Sequence, residues 1–349
     1  MSDQVISHSR PAITEADIKA VCSVLESGRI AQGPVVSEFE QKFSAYIGKK
    51  NGAAVSSGTA ALHLALMAMG VKEEDEVIIP SFVCTAVLNA VLQAGARPVI
   101  VDIDPRTYNM SVESARAAIS GRTRAMIVPH MFGCPAEIDQ LSGLGIPLIE
   151  DCAQSVGASF KGRKAGSFGL VSVFSFYATK VLTTGEGGMV VSDSEEMIAR
   201  VKELREYDQK EDYEPRFNYK MTDIQAALGL SQLSLLEKLL DRREKIASRY
   251  FKEFQDCQFS LPIRKEGREH IYYRFIVKTS EDASPSLERL QQRKVICQRP
   301  VFVPLHVLLG LEGFSRTMEA WQKTVSIPLY PSLTENEVEK IIAVVREIF

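Results

Sequence analysis

Short apolar runs alternate with longer stretches rich in alanine and leucine between about residues 53 and 193 of this chain. The runs are rich in valine and isoleucine and cover residues 76–80, 98–104, 125–130, 147–151, 171–176 and 188–192. Several are apolar almost throughout, as expected of strands that are covered on both faces. Strands that alternate with helices at this spacing predict an α/β fold with a mostly parallel, doubly wound sheet.

The pattern changes near residues 218–223. Spaced leucines over residues 224–254 predict one or two long amphipathic helices. A β-rich run at 272–277, a helical stretch at 284–294 and a final helix from Glu335 follow. We therefore expect a large α/β domain over residues 1–239 and a small C-terminal α+β domain over residues 240–349, with the boundary inside a helix.

Composition places the chain among soluble globular proteins, with 45% hydrophobic and 24% charged residues in a length of 349. The net charge of −3 argues against a nucleic acid or an anionic membrane as partner. No apolar run approaches the ~20 residues that span a bilayer. The first residues have neither the basic flank nor the apolar stretch of a secretory signal. We expect a cytoplasmic protein.

The six cysteines are scattered without a C-x-x-C pair. This spacing supports neither a zinc site nor a disulfide framework, so we expect reduced thiols and no bound metal.

Polar residues cluster where the predicted strands end. Ser81, Asp102, His130, Asp151 and Ser175 all lie at or near the carboxyl end of a run. In open α/β sheets ligands bind at that edge, so the predicted site lies there.

A small-residue turn, Ser57-Gly58-Thr59, leads directly into a predicted helix. Free N–H groups and the positive end of the helix dipole then point at one spot, which makes a phosphate site. Gly58 lets the backbone approach closely, and the Thr59 hydroxyl can cap the helix or bind the anion. The alternative is an ordinary helix cap by Ser57 or Thr59.

Asp151 follows an apolar run and precedes small residues. A carboxylate in that place can pair with the cation of a ring nitrogen and keep it protonated. The alternative is an aspartate that caps a helix. Gln154 either forms a hydrogen bond with a ligand hydroxyl or faces solvent.

Lys180 follows the apolar run 171–176 and precedes a glycine-rich turn. A lysine held in a cleft can become a nucleophile that forms a Schiff base, although most lysines are solvated surface residues. Ser175 is either a second phosphate contact or a polar position on a half-buried strand. Phosphate turn, aspartate, serine and lysine occur in that order at predicted sheet edges, as a pyridoxal phosphate site requires.

Taken together, these motifs resemble the DegT/DnrJ/StrS family of aminotransferases. The matching segments are Gly33-Pro34, residues 57–62, residues 150–154, residues 174–180, residues 183–188, residues 218–227 and residues 327–331. They extend over nearly the whole chain.

The resemblance implies a fold-type I enzyme that uses pyridoxal 5'-phosphate to aminate a keto-sugar, usually nucleotide-linked, with glutamate or glutamine as donor. By analogy Lys180 forms the Schiff base and Asp151 pairs with the pyridine nitrogen. Thr59, Ala60 and Ser175 would bind the phosphate, and Gln154 would approach the 3-hydroxyl of the ring. Asn218 would reach the cofactor phosphate of the neighbouring subunit, which implies a homodimer with a shared active site.

The chain departs from the family pattern in several places. Many relatives carry an aromatic residue that stacks on the cofactor ring, and here either Phe82 or Cys84 occupies that role. Lys220 stands where arginine is common, and Tyr177 stands where histidine is common. His306 belongs to a partial match to a C-terminal histidine motif and either contacts substrate or is packed. We expect Tyr177, Lys220 and His306 to bear on substrate binding.

Alternatives to a keto-sugar aminotransferase remain open. The same chemistry could act on a keto-cyclitol or another cyclic ketone. Sugar dehydratases of the superfamily have histidine at the Schiff-base position, and Lys180 argues against that activity. A non-catalytic sensor would be favoured by loss of Lys180 or Asp151, and both are present.

Overall fold

The computed structural model describes residues 5–349 and has an α/β architecture built around a large central sheet. The helices are α1 (Glu15–Ser27), α2 (Pro34–Ile47), α3 (Gly58–Ala68), α4 (Thr85–Gln93), α5 (Val112–Ala117), α6 (Ile138–Ser142), α7 (Glu195–Leu204), α8 (Asp223–Glu253), α9 (Ser284–Gln292), α10 (Leu305–Leu308), α11 (Ser315–Lys323) and α12 (Glu335–Ile348). The strands are β1 (Asn51–Val55), β2 (Glu76–Pro80), β3 (Arg97–Val101), β4 (Thr123–Pro129), β5 (Leu148–Asp151), β6 (Ser159–Phe160), β7 (Arg163–Lys164), β8 (Val171–Ser175), β9 (Gly188–Ser192), β10 (Phe259–Ser260), β11 (Arg268–Glu269), β12 (Phe275–Thr279) and β13 (Thr324–Ile327).

The central sheet has seven strands in the order β1-β9-β8-β5-β4-β2-β3. β2 is parallel to β3 and β4, and β5 is parallel to β4 and β8. β9 is antiparallel to both of its neighbours, β1 and β8. The predicted mostly parallel sheet is confirmed, with β9 as its antiparallel member.

All of the apolar runs identified in the sequence form strands of this sheet. The run 98–104 ends early, at Val101, because Asp102 leaves the strand and accepts the N–H groups of Arg316 and Thr317 at the start of α11. β1 was not among the predicted strands. Its sequence, Asn-Gly-Ala-Ala-Val, contains residues of low strand propensity, and only its pairing with β9 makes it a strand.

Side chains on the two faces of the sheet enter different cores. Val173 and Val190 pack with α3 and α4, whereas Phe174 and Met189 pack with α2 on the other face. The alternation follows from the two-residue period of a strand. Burial of each such side chain contributes roughly 1.5–3 kcal/mol, so packing on both faces holds the sheet in place.

Helix α8 is a single helix of 31 residues that begins with a capping box between Thr222 and Gln225. Leu236 packs with the core of the large sheet, and Ile246 packs with a second core around the small sheet β10-β12-β13. The predicted division at residues 239 and 240 lies inside this helix and stays a prediction. No helix within residues 5–349 is both long and apolar enough to cross a membrane.

Candidate active site

Gly58, at the start of α3, lies directly against Ser175, at the end of β8. A Cβ at position 58 would lie 2.7 Å from the Ser175 Cβ and 3.1 Å from its Oγ. β1 and β8 run in the same direction because each is antiparallel to β9. The carboxyl ends of these two strands therefore bring the predicted phosphate turn and the predicted second phosphate contact together.

The amino end of α3 presents free N–H groups at this point. Ser57 caps the helix, since its Oγ accepts the N–H of Ala60 at 3.0 Å. The cap does not use the N–H groups of Gly58 and Thr59, which have no partner within the part of the chain that the structure describes. Capping and anion binding are thus compatible, although the Ala60 N–H is already engaged. Ser175 Oγ accepts the N–H of Tyr177 at 3.4 Å, which leaves its own proton to donate.

Asp151 ends β5, and 7% of the residue surface is exposed. Its Oδ1 accepts the N–H of Ala153 at 3.0 Å, and its Oδ2 has no hydrogen-bond partner within residues 5–349. Burial raises the pKa of this carboxyl, because the Lys180 charge and the Ala153 N–H offset only part of the lost hydration. The negative charge of this carboxylate is therefore only partly compensated by its neighbours, and a protonated ring nitrogen would compensate it further.

Glu150, the residue before Asp151, is fully buried and hydrogen-bonded. Its oxygens accept N–H groups of the loop before β8, from Gly166 at 2.9 Å, Phe168 at 2.7 Å and Gly169 at 2.5 Å. His130 Nδ1 accepts the N–H of Ala136 at 3.0 Å, so its proton is on Nε2, which donates to Glu150 at 3.0 Å. Burial acts to raise the pKa of Glu150, but the His130 and backbone donors outweigh it and lower that pKa.

The same carboxylate, His130 and the Cys152 thiol have ligand atoms within 4.8 Å of one another. Because the carboxylate oxygens already accept several N–H donors, we interpret the cluster as a support for β5 rather than a metal site.

Lys180 lies on a loop between Phe176 and Gly187, and hydrogen bonds between the backbone of Phe176 and the far end of the loop hold it closed. The N–H of Phe176 donates to Gly187 O at 2.8 Å, and Phe176 O accepts the N–H of Thr184 at 2.9 Å and the Thr183 hydroxyl at 3.2 Å. The Lys180 N–H donates to Tyr177 O at 2.8 Å within this loop. The half-buried lysine is therefore held at the sheet edge and is not a solvated surface residue.

The Lys180 ammonium reaches the predicted site. Its charge acts to lower the pKa of both the Asp151 carboxyl and the Cys84 thiol, so these groups face one another across the same space. Its Nζ also lies 5.2 Å from the ring centroid of Tyr273, which comes from the C-terminal part of the chain.

Gln154 is fixed by its side-chain oxygen, which accepts the N–H of Phe132 at 2.8 Å. Phe132 has a φ of 59°, a left-handed conformation that is uncommon for this residue type, so its N–H is aimed by a specific turn. The amide group of Gln154 is oriented by this bond, and its NH2 is left to donate elsewhere.

The structure separates the two candidates for ring stacking. Phe82 is fully buried and packs against Tyr108 and Phe132, so its ring has no surface to offer a ligand. Cys84 keeps exposed surface toward the cleft, but the protein atoms around the cleft remove much of the water near its thiol. This lost hydration, together with the Asp151 charge, raises the pKa of the thiol despite the nearby Lys180. This geometry favours Cys84 as the residue that faces the cofactor ring.

The remaining predicted contacts lie farther out. Tyr177 is exposed, and so is Asn218, on the segment before α8. Lys220 makes ion pairs with Glu206 and Asp208, each at 3.3 Å. Lys220 is therefore already paired within its own subunit, whereas Asn218 is open to solvent.

His306 is buried and bound to Ser81, the residue after β2. The N–H of His306 donates to Ser81 Oγ at 3.2 Å, and the serine hydroxyl lies 2.6 Å from His306 Nδ1. The serine oxygen has two lone pairs and one proton, so it can accept from the backbone and still either donate to Nδ1 or accept from it, and both arrangements hold the imidazole in place. Burial lowers the pKa of His306, so it is a neutral N–H donor near pH 7.

The sequence analysis missed the contribution of Tyr273 and Arg274. Both side chains approach Lys180 from a turn just before β12, although the sequence places them about ninety residues away. The only signal in the sequence is an arginine beside two tyrosines in a β-rich run.

Comparisons with known proteins agree with this geometry. Residues 11–346 match the DegT/DnrJ/EryC1/StrS aminotransferase family. The spore coat polysaccharide biosynthesis protein SpsC of Bacillus subtilis is 34% identical over 98% of this chain and 97% of its own. GDP-perosamine synthase of Caulobacter vibrioides is 34% identical over 90% of each chain. The PLP form of Spr1654 of Streptococcus pneumoniae superposes with a TM-score of 0.94 at 28% identity, covering 99% of this chain and 98% of that chain.

Proposed function

The chain belongs to the DegT/DnrJ/EryC1/StrS aminotransferase family, and from this premise we propose that it transfers an amino group from glutamate or glutamine to a nucleotide-linked keto-sugar. It is a sugar aminotransferase that depends on pyridoxal phosphate. The observation that carries the proposal is the arrangement of Lys180, Asp151 and the Gly58–Ser175 contact at one edge of the sheet.

The residues at this edge fit the cofactor. The free N–H groups of Gly58 and Thr59, with the Ser175 hydroxyl, would bind its phosphate, and a side chain at position 58 would fill that cradle. Asp151 would pair with the ring nitrogen through its open oxygen, and the NH2 of Gln154 would donate to the ring hydroxyl. Cys84 would lie against the ring.

Bound pyridoxal phosphate supplies an aldehyde that condenses with amines and a ring that accepts electrons. Lys180 would act as the general base that takes the proton from the donor Cα. Asp151 would hold the ring nitrogen proton in place during this transfer. The same proton movements in reverse aminate the ketone, and two half-reactions at one site predict ping-pong kinetics.

We also assign the active site to a homodimer. Asn218 is exposed and lies on the segment that leads into α8, so it is free to contact a second copy. Its amide would donate to the cofactor phosphate held by the partner subunit. Each site would then need residues of both subunits.

The nucleotide-linked sugar is favoured over a keto-cyclitol because one relative is named for a GDP-linked product and another for polysaccharide biosynthesis. Lys180 argues against a dehydratase, and Lys180 and Asp151 together argue against a non-catalytic sensor. A keto-cyclitol or another cyclic ketone remains the second candidate for the acceptor.

A panel of nucleotide-linked 3- and 4-keto-sugars and of keto-cyclitols, each offered with glutamate or glutamine, tests the proposal by mass spectrometry of the product. We expect an amino-sugar nucleotide from the wild type and none from Lys180→Arg, which keeps the charge but cannot form the Schiff base. Amination of the cyclitols alone would refute the sugar assignment. Equal turnover by Lys180→Arg would refute the role of the lysine.

A further inference from the structure

Two cations approach one aromatic ring beside the reactive lysine. Lys180 Nζ lies 5.2 Å from the centroid of Tyr273, and Arg274 Cζ lies 4.8 Å from the same centroid. The Tyr273 hydroxyl contacts the Thr179 hydroxyl at 3.4 Å, which ties this tyrosine to the Lys180 loop. Arg274 is thus a close neighbour of the site of chemistry.

Arg274 has no carboxylate partner within residues 5–349. Its guanidinium donates to His8 Nδ1 at 3.1 Å and to the Tyr273 hydroxyl at 3.5 Å. Burial, together with the Arg274 charge, lowers the pKa of His8 to about 3, so His8 is neutral and accepts this bond. A half-buried arginine whose partners are neutral retains the capacity to bind an anion.

A small cavity lies beside Lys180, Tyr273 and Arg274, and its wall supplies further hydrogen-bond donors. Lys180, Tyr273, Arg274, Arg10, Arg243 and Tyr330 all line it. Arg243 donates to three backbone carbonyls, but its buried Nε has no partner in the described part of the chain, and neither does the buried Tyr330 hydroxyl. Unpartnered buried donors are uncommon, and each one calls for an acceptor.

The volume that the centre of a water molecule can occupy in this cavity is about 10 Å³, close to the room that one water molecule needs. A whole substrate does not fit there. The oxygen of a carboxylate does, provided that the rest of the ligand lies in the open cleft beside Lys180.

We propose that this donor-lined recess binds the α-carboxylate of the amino donor, with Arg274 as its principal partner and the Tyr330 hydroxyl as a second donor. The amine and the α-carboxylate of an amino acid share one carbon, so an amine that replaces Lys180 brings its carboxylate to the immediate surroundings of that lysine. The inference rests on the proposed function, because it assumes that an amino acid is the donor.

Calorimetric titration of the cofactor-loaded enzyme with 2-oxoglutarate measures this binding without turnover. We expect Arg274→Gln to raise the dissociation constant by about 10- to 100-fold, since a charge-assisted pair to a carboxylate is lost. The control is Arg264→Gln, which removes an arginine that lies over the Phe251 ring, 4.1 Å from its centroid, away from the site. It should leave the constant unchanged.

Tyr330→Phe guards against a general loss of structure. Its hydroxyl has no partner in the described chain, so its removal should not lower the melting temperature but should weaken 2-oxoglutarate binding several-fold. Wild-type affinity in both Tyr330→Phe and Arg274→Gln would overturn the proposal.

Stopped-flow half-reactions with glutamate and glutamine identify the carboxylate. An α-carboxylate contact predicts the same loss for both donors in Arg274→Gln, whereas a loss confined to glutamate would overturn the α assignment. A raised KM for the sugar nucleotide alone would also overturn it. If the wild type reacts with no amino acid yet binds 2-oxoglutarate through Arg274, the recess is confirmed as a carboxylate site and the proposed function is wrong.

Discussion

The Cα of Gly58 faces the side chain of Ser175 so closely that a Cβ at residue 58 would lie 2.7 Å from the serine Cβ. A Cβ is fixed to its backbone, so the clash cannot be relieved by rotation of a flexible side chain. The start of α3 and the end of β8 can therefore approach one another only because residue 58 is glycine.

We expect Gly58→Ala to raise the dissociation constant for pyridoxal phosphate by about 10- to 100-fold. The methyl group must push apart the two elements that form the phosphate cradle. Fluorescence titration of the cofactor-free protein measures this constant. Gly121→Ala is the control, because nothing lies within 4 Å of its added Cβ, and it should bind the cofactor as the wild type does. If Gly58→Ala binds pyridoxal phosphate as tightly as the wild type, this turn does not bind the cofactor phosphate.

Asp151→Asn should inactivate the enzyme and stabilise the cofactor-free protein. The folded state raises the pKa of Asp151, so its charged form costs stability once the pH exceeds the carboxyl pKa of the unfolded chain. That cost grows as the pH rises toward the folded pKa and is constant above it. At pH 7 the asparagine variant therefore avoids it.

Two measurements check this pair of effects. Thermal unfolding of the cofactor-free proteins at pH 7 should give a higher melting temperature for Asp151→Asn than for the wild type. The donor half-reaction of the loaded variant should be slower by at least about 100-fold, because a preorganised charge is lost. A variant that is both active and unchanged in stability would make Asp151 a structural residue.

Cys84 and Cys22 are both exposed thiols, but only Cys84 lies beside Asp151 and Lys180. If Cys84 faces the cofactor ring, bound cofactor should slow its modification by a thiol reagent at least about tenfold, while Cys22 should react equally in both forms. Mass spectrometry of the labelled peptides at pH 9 separates the two, since the raised thiol pKa of Cys84 makes it slow at pH 7. Equal labelling of Cys84 in both forms would exclude it from the ring face.

Asn218→Ala should raise the cofactor dissociation constant by about tenfold through the loss of one phosphate hydrogen bond. Mixed dimers of Asn218→Ala and Lys180→Ala subunits test the shared site. Each such dimer has one site with both residues intact, so activity should return to part of the wild-type level. Mixed dimers with no more activity than their parents would argue that Asn218 acts within its own subunit.

The hydroxyl of Ser81 binds Nδ1 of His306 and holds the imidazole in one orientation. In Ser81→Ala the imidazole can exchange between tautomers, and we expect the KM for the sugar substrate to rise about 3- to 10-fold. The donor half-reaction should not change. Nitrogen NMR reports the tautomer directly, and Ser234→Ala, an exposed serine, is the control. If Ser81→Ala shows mixed tautomers of His306 but an unchanged KM for the sugar substrate, His306 does not take part in substrate binding.

The local sequence pattern was sufficient to predict six strands of the central sheet, because a strand that is buried on both faces is a continuous apolar run. It failed at β1, where Gly52 and Ala53 form a strand only through their pairing with β9. It also extended the third strand to residue 104, whereas β3 ends at Val101, because Asp102 is diverted to accept N–H groups at the start of α11, far along the chain. In both cases the deciding partner is distant in sequence.

By itself, the sequence determined which chemical groups stand at the strand ends, including Asp151 and Lys180, because strand period and glycine-rich turns depend on neighbouring residues. Only the tertiary structure decided what surrounds them. Tyr273, 94 positions from Thr179, reaches the Lys180 loop because the C-terminal part of the chain packs over the sheet edge. Contacts between distant residues depend on how whole elements pack, and no local pattern records that packing.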